Sequence, residues 1–407
     1  MSEPVNPTAA APSPAPAPEA SAAAYPIRVL LVDDQALIGE AVRRMLASER
    51  DIQYRYVGNP LLALDTAKEF RPTVILSDLV MPQMDGLELV SLFRGDPETE
   101  KIPLIVLSSM EEAATKVQAF KHGANDYLVK LPDRLEVIAR VRYHSAGYVS
   151  MLQRDAAYEA LRQSQQLVAE DLEEAARYAQ SLFPEPIEER VTTTWRYIPS
   201  AALGGDAFGY HWLDADTFVV YLLDVAGHGV GAALLSVSVL NILRSGSLRK
   251  TDFSNPGQVL ARLNDAFPVQ DHGGKYFTIW YGIYKPSTRE LRYSGGGHPP
   301  ALLFAAGADP ASLGSTGPMP GVLPDLLYET KTLSVPAGAK LFVYSDGLYE
   351  LRLADESVLT HDDLLDELFP AVASGADPLV ASMARAERLC GEIGYADDVS
   401  VVQVLLP

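Results

Sequence analysis

The chain has 407 residues, with 33 basic against 53 acidic side chains and a formal net charge of −20. That length suits two or three domains with ordinary cores, and the acidity argues against nucleic acid as a partner, since binding its backbone needs a dense cationic face. The lone cysteine, Cys390, rules out an internal disulfide or a cysteine zinc cluster. No apolar run approaches the roughly 18 residues of a membrane span, so a cytoplasmic protein without membrane contact is expected.

Residues 1–24 are almost entirely Ala, Pro and Ser and lack the basic start and apolar stretch of a signal peptide, so they read as a disordered tail. Over 25–145, five apolar runs (IRVLLV, YRYVGN, TVILSD, PLIVLSS and DYLVK) alternate with helical patterns. Unalternated Val/Ile/Leu strands separated by helices predict an α/β doubly wound domain, a five-stranded parallel sheet covered on both faces. Working groups in such a sheet lie at the carboxyl ends of its strands, where Asp33, Asp34, Asp78, Ser108 and Lys130 fall. Their chemistry is coherent. Asp78 would be the nucleophile that takes a phosphoryl group onto its carboxylate. Asp33, Asp34 and Asp78, with the backbone carbonyl of Val80, hold Mg²⁺, while Ser108 and Lys130 contact the phosphoryl oxygens. This ordered set resembles a bacterial response-regulator receiver domain. The resemblance implies phosphorylation of Asp78 by a partner sensor histidine kinase, and makes Tyr127 the aromatic that rotates toward Ser108. Lys130-Leu131-Pro132 departs from the Lys-Pro of many receivers and lengthens the loop that follows.

A charged, alanine-rich stretch follows, read over 146–186 as a coiled-coil signalling helix. With Tyr158, Gln165, Leu172 and Ala179 at one heptad position, Leu161, Val168, Ala175 and Leu182 occupy the other. A mostly apolar seam of this kind predicts a two-stranded coiled coil, hence a homodimer. The alternative is a single long helix lying on its own domains. Pro184 and Pro186 close the helix.

From 187 to 407 the pattern becomes strand-rich: FVVYLLDV, YFTIWYGIYK, ELRYSG, ALLFAAG, KLFVYSD and VSVVQVLL. Helical stretches interrupt it at AALLSVSVLNILRS, DLLDELFPAVA and PLVASMARAERLC, the last containing Cys390 as core filler. An α+β domain of two stacked antiparallel sheets flanked by helices is expected. Asp206, Asp224, Asp346 and Asp397 stand beside Gly205, Gly227, Gly347 and Asp398. Separated carboxylates without histidine ligands suit two hard, water-rich ions, Mg²⁺ or Mn²⁺, better than zinc. Two such ions activate a water and clamp a phosphoryl group in line with it, which gives phosphomonoester hydrolysis without a covalent intermediate.

Six segments run in family order here: Ala179-Gln180-Ser181-Leu182-Phe183-Pro184, Leu203-Gly204-Gly205-Asp206, Asp224-Val225-Ala226-Gly227-His228-Gly229, Gly296-Gly297-His298-Pro299-Pro300, Tyr344-Ser345-Asp346-Gly347-Leu348-Tyr349-Glu350 and Ala396-Asp397-Asp398-Val399-Ser400. Together they resemble the metal-dependent protein serine/threonine phosphatase family (PPM), in its SpoIIE-like branch. The resemblance implies that Asp206, Asp224 and the carbonyl of Val225 flank the metals, with Asp346 and Asp397 opposite. Coordination by Asp398 stays open. His228 also has two readings, since it lies four residues after Asp224 where eukaryotic relatives place a histidine two after: a direct catalytic role, or a loop and helix-start role. His298 reads as a turn or packing residue. Gly204-Gly205-Asp206-Ala207-Phe208 also looks like a diguanylate cyclase signature, but Ala207 stands where that motif needs an acid.

Taken together, these features predict a two-component response regulator whose output is dephosphorylation of phosphoserine or phosphothreonine on a partner protein. The resemblance makes that partner an anti-sigma-factor antagonist, with control through Asp78 phosphorylation. The rival reading is a catalytically silent adaptor that sequesters a sigma-factor regulator; the presence of all four aspartates favours catalysis.

Overall fold

The structure, a computed structural model, describes residues 26–109, 113–130, 132–391 and 394–407. The predicted tail over 1–24 and Leu131 lie outside them. Two compact units divide the chain at Ser164 and Gln165.

In the first unit, β1 (Ile27–Val32), α1 (Ala36–Leu46), β2 (Ile52–Val57), α2 (Ala63–Phe70), β3 (Val74–Asp78), α3 (Gly86–Gly95), β4 (Leu104–Ser108), α4 (Ala113–Lys121) and β5 (Asp126–Val129) alternate. All strand pairs are parallel, in the order β2-β1-β3-β4-β5. Successive residues of a strand face opposite ways, and both faces are covered. Leu30, Val32, Ile75 and Val106 pack with Ala67 of α2 and Leu89 and Phe93 of α3. Val29, Leu31, Leu76 and Leu107 pack with Val42 of α1 and Val137 and Val141 of the next helix. That helix, α5, runs Arg134–Ser181. Its first turns are held by Ser145, whose hydroxyl lies 2.8 Å from Thr73 Oγ1, and by Arg142, which donates to Glu49 and Asp51. The boundary between the units falls inside α5.

The second unit contains β6 (Thr192–Ile198), β7 (Ala207–Trp212), β8 (Phe218–Val225), α6 (Val230–Ser245), α7 (Pro256–Ala266), β9 (Phe277–Lys285), β10 (Glu290–Gly296), β11 (Ala301–Phe304), β12 (Ala311–Leu313), β13 (Lys331–Ser334), β14 (Ala339–Tyr344), α8 (His361–Ala373), α9 (Pro378–Cys390) and β15 (Val399–Leu406). One sheet is ordered β13-β10-β9-β8-β7 and the other β12-β11-β14-β15-β6, with antiparallel pairs throughout. Phe208, Leu222 and Trp280 of the first sheet meet Leu341, Val402 and Val404 of the second. Helices α6 and α7 cover the first sheet's outer face through Val239, Leu240, Leu260 and Leu263. Helices α8 and α9 cover the second through Leu364, Leu368, Met383 and Cys390. Cys390 is buried there as apolar filling.

The sequence reading left out β6, β7, β12, β13 and α7. The signal for α7 was present: Asn255 accepts from Gln258 N at the N-terminus, Pro256 fills the first turn, and Val259, Leu260 and Leu263 recur at helical spacing. β6 (TTTWRYI) alternates only weakly because Trp195 and Tyr197 are half-buried. Its place beside β15 is a tertiary fact.

Candidate active sites

At the carboxyl edge of the parallel sheet, β1 delivers Asp33 and Asp34, β3 delivers Asp78, β4 Ser108, and the residue after β5 Lys130. Asp33, Asp34 and Asp78 bring carboxylate oxygens within 4.8 Å of one another. Asp33 and Asp78 are buried, whereas Asp34 is exposed. Lys130 Nζ lies 2.7 Å from Asp33 Oδ2 and 2.8 Å from Asp78 Oδ2. Burial opposes the charge on Lys130, but hydrogen bonds to both carboxylates outweigh it and raise its pKa. For Asp33 burial wins over the Lys130 contact and its pKa also rises. The cage therefore favours a further cation.

The loop after Asp78 is tightly built. Leu79 N–H donates to Asp78 Oδ1 at 2.8 Å, Gly86 N–H donates to the Leu79 carbonyl at 2.9 Å, and Asp85 caps α3 by accepting from Leu87 N–H. A Cβ on Gly86 would fall 2.3 Å from the Asp78 carbonyl oxygen, so glycine lets α3 begin there. Val80, with a largely exposed side chain, lies on this loop. Ser108 is buried and its carbonyl accepts the Lys130 N–H at 2.8 Å. Tyr127 is buried, with Lys116 Nζ 5.4 Å from its ring centre.

In the second unit the acids come from both sheets. Asp206 immediately precedes β7, and Asp224 is the next-to-last residue of β8. On the facing sheet, Asp346 follows β14, and Asp397 and Asp398 precede β15. The predicted quartet therefore gathers at one end of the sandwich. Asp206 is 3% exposed; neither carboxylate oxygen makes a hydrogen bond of full geometry, though the hydroxyls of Ser345 and Ser400 lie close enough to lower its pKa. Its pKa stands well above the carboxylate range, through burial first and then the charge of Asp224. Asp224 is pushed up to about 8 by burial and by the charges of Asp346 and Asp397. Asp346 is pushed up to about 6 by burial, Glu350 and Asp397, and Asp397 is raised mainly by burial. Carboxylates whose pKa is raised by burial first and by neighbouring charge second relax when a multivalent cation joins them.

This second cluster is looser than the first: among the described residues, no three of its carboxylates come within 4.8 Å of one another. Such spacing fits hard ions that keep several waters. Gly205 supplies the remaining opening, since a Cβ there would sit 2.6 Å from the Val225 carbonyl oxygen. The Val225 carbonyl is thus brought against the backbone beside Asp206.

His228 is exposed, on a loop where Gly227 and Gly229 have φ of 85° and 86°, and its charge lowers the pKa of Asp397. His298 is buried; its Nδ1 lies 2.8 Å from Thr278 Oγ1, and burial pushes its pKa down to about 3. It packs as a neutral ring. Sequence reasoning missed three participants. Ser200 donates to Asp398 through both its N–H and hydroxyl. Glu350 adds to the field at Asp346. The stem of Lys275 lies so close over Gly231 that a Cβ there would sit 2.8 Å from Cε. Only Glu350 stood inside a quoted motif; Ser200 comes to Asp398 through the pairing of β6 with β15, and Lys275 lies on the loop before β9.

Comparison with known proteins gives two families. Residues 29–142 match the response regulator receiver domain, and residues 214–406 match stage II sporulation protein E (SpoIIE). The chain is 31% identical over 119 residues to Response regulator Rre1 of Synechocystis sp., covering 29% of this chain and 52% of that protein. It is 27% identical over 168 residues to Phosphoserine phosphatase RsbP of Bacillus subtilis, covering 40% of this chain and 41% of that one. The chain thus spans about half, or less, of these relatives. The SiaA-PP2C domain of Pseudomonas aeruginosa is similar in fold, with a TM-score of 0.50 at 17% identity over 60% of this chain and 99% of that one. No helix among the described residues is long and apolar enough to cross a membrane.

Proposed function

We propose that this chain, in which a response-regulator receiver domain precedes a SpoIIE-type phosphatase domain, hydrolyses phosphoserine or phosphothreonine on a partner protein under control of Asp78. The observation that carries the reading is Asp206, a buried carboxylate raised by its burial and by the charge of Asp224, with no hydrogen bond of full geometry on either oxygen and only the hydroxyls of Ser345 and Ser400 close enough to lower its pKa. A buried anion left so costs several kcal/mol unless it is protonated or joined to a cation. Asp206, Asp224, Asp346 and Asp397, with the Val225 carbonyl, would hold two Mg²⁺ or Mn²⁺ ions. When bound, such ions supply Lewis acidity that makes water a nucleophile near neutral pH and offsets charge on the phosphoryl group. In the reaction the ester O–P bond breaks, a water oxygen bonds to phosphorus, and the serine or threonine hydroxyl and inorganic phosphate leave. His228, exposed on the loop after Asp224, would hand a proton to the departing alkoxide if it acts directly, the other reading being a loop and helix-start role.

In the receiver, Asp78 would accept a phosphoryl group from a sensor histidine kinase, with Asp33, Asp34 and the Val80 carbonyl holding Mg²⁺. Lys130, now shared between Asp33 and Asp78, would turn to the new phosphoryl oxygens, joined by Ser108, and Tyr127 would report the change. Helix α5 is the route proposed to the second unit: its last turns, at Ala176, Ala179 and Gln180, line the small cavity that Gly204 and Asp206 also border. The heptad seam along α5 is read as a homodimer contact. The substrate is read as an anti-sigma-factor antagonist, as the family resemblance implies. The proposed domain limits are 25–145, 146–186 and 187–407.

The test is hydrolysis of p-nitrophenyl phosphate with Mn²⁺, with and without acetyl phosphate, beside an Asp346→Asn control. Turnover that requires both Mn²⁺ and Asp346, lost at least about 100-fold in the variant, is the expected result. Inertness toward this ester and toward phosphorylated antagonist alike would leave the adaptor reading in its place.

A further inference from the structure

Asp397 and Asp398 are adjacent and chemically identical, yet the structure gives them different surroundings. We propose that Asp398 is a positioning residue that sets the span of the metal site, and that Asp397 alone of the pair is a ligand. The inference rests on the metal-dependent reading above.

Four donors occupy the Asp398 carboxylate. Oδ1 accepts from Ser200 N–H at 2.7 Å and from Ser200 Oγ at 3.0 Å. Oδ2 accepts from Gly205 N–H at 2.5 Å and from Asp206 N–H at 3.4 Å. A carboxylate offers about four acceptor positions, so Asp398, 3% exposed, has nothing left for an ion. Asp397 differs: it is half-buried, and among the described residues its carboxylate accepts one hydrogen bond, from Asp398 N–H onto Oδ1 at 2.8 Å.

The topology shows what the four bonds do. Asp398 opens β15, and Ser200 lies just beyond β6, its neighbour in the same sheet. Gly205 and Asp206 lead into β7 of the opposite sheet. Asp398 therefore straps the two sheets together where one presents Asp206 and Asp224 and the other Asp346 and Asp397. Holding the Gly205 and Asp206 amides leaves the Asp206 carboxylate free to face the site.

Two glycines fit this strap. A Cβ on Gly204 would fall 2.4 Å from Asp398 Oδ2, and one on Gly347 would fall 2.2 Å from the Asp398 carbonyl oxygen. That carbonyl also accepts from Ser345 Oγ at 3.2 Å, and Ser345 Oγ accepts from Ser400 N–H at 2.9 Å. The loop bearing Asp346 is thus fixed to the same residue.

The experiment is calorimetric titration of the full chain with Mn²⁺, comparing wild type, Asp398→Asn, Ser200→Ala and Asp206→Asn, with thermal unfolding of each. Asparagine keeps the shape but turns one acceptor into a donor, facing either the Gly205 and Asp206 amides or Ser200. Asp398→Asn should bind the wild-type number of ions about 10- to 100-fold more weakly, as residues that orient metal ligands do, and recover most turnover at saturating Mn²⁺. Ser200→Ala should move affinity the same way by a smaller factor, and keeps the question answerable should Asp398→Asn fail to fold. Asp206→Asn should lose an ion. Loss of an ion in Asp398→Asn would make Asp398 a ligand and overturn the proposal. So would a lower melting temperature with unaltered Mn²⁺ affinity in both Asp398→Asn and Ser200→Ala, which marks a purely structural bond. A wild-type chain that binds no Mn²⁺ would instead overturn the metal-dependent reading, and this inference with it.

Discussion

At the scale of single residues, the second unit joins carboxylates whose pKa burial and neighbouring charge push up with a histidine whose pKa burial pushes down. His298 gives a pH prediction with a definite sign. Its folded pKa, about 3, lies below the ordinary 6.5, so its stabilising effect is fully present above pH 6.5 and is lost as pH falls and the unfolded chain takes up a proton. Between pH 6.5 and 5 this costs about 2 kcal/mol. The chain's three tryptophans, Trp195, Trp212 and Trp280, all lie in the second unit, so urea unfolding followed by their fluorescence reports on it. Asp224 and Asp346, pushed up to about 8 and about 6, act with the opposite sign over the same interval, so the histidine is read as a difference: relative to His298→Gln, wild type should lose about 2 kcal/mol between pH 6.5 and 5. Gly205 supports a second prediction. A methyl group there meets the Val225 carbonyl oxygen at 2.6 Å and the Gly227 carbonyl oxygen at 3.1 Å, both backbone atoms that yield poorly. Gly205→Ala should destabilise the unit by about 1–3 kcal/mol and weaken Mn²⁺ binding; denaturant midpoints and titration calorimetry read the two effects.

Among the elements, α5 carries the question of assembly. Beyond Ser145 it buries no residue, and Tyr158, Leu161 and Val168 are 70%, 55% and 56% exposed at the predicted heptad positions. A solvent-facing apolar stripe on a helix gains by pairing with another. Leu167 and Tyr178 are also exposed but lie off that seam, so the stripe is broader than the heptad pattern describes. Leu161→Glu combined with Val168→Glu should convert a dimer to a monomer in sedimentation equilibrium, while uptake of phosphate from acetyl phosphate continues, since the Asp78 cage lies elsewhere. A wild-type chain that sediments as a monomer at micromolar concentration would remove the coiled-coil reading.

For the whole molecule, the prediction concerns coupling. A ligand or modification shifts an equilibrium only by its differential effect on two states. Acetyl phosphate should therefore change the turnover of the wild-type chain, and Asp78→Asn should abolish the change while keeping Mn²⁺-dependent basal turnover. Equal turnover with and without acetyl phosphate in a chain shown by mass to carry the phosphoryl group would separate the two domains functionally.

Much of this was legible in the chain. Five unalternated strands, each with its acid, serine or lysine at the carboxyl end, define the receiver edge, because side-chain period and strand-end placement are local properties. The glycine-flanked aspartates of the second unit stood out for the same reason: a carboxylate ending an apolar strand has no local partner. What pairing across the sandwich alone decided is which of two adjacent aspartates stays open. Asp397 and Asp398 share one motif, but only the approach of Gly205 and Ser200, almost two hundred residues away, fills the Asp398 carboxylate with donors while Asp397 accepts the Asp398 N–H. Strand β6, α7, Lys275 and the neutral setting of His298 belong to the same class. Each depends on long-range contacts, which local periodicity does not encode.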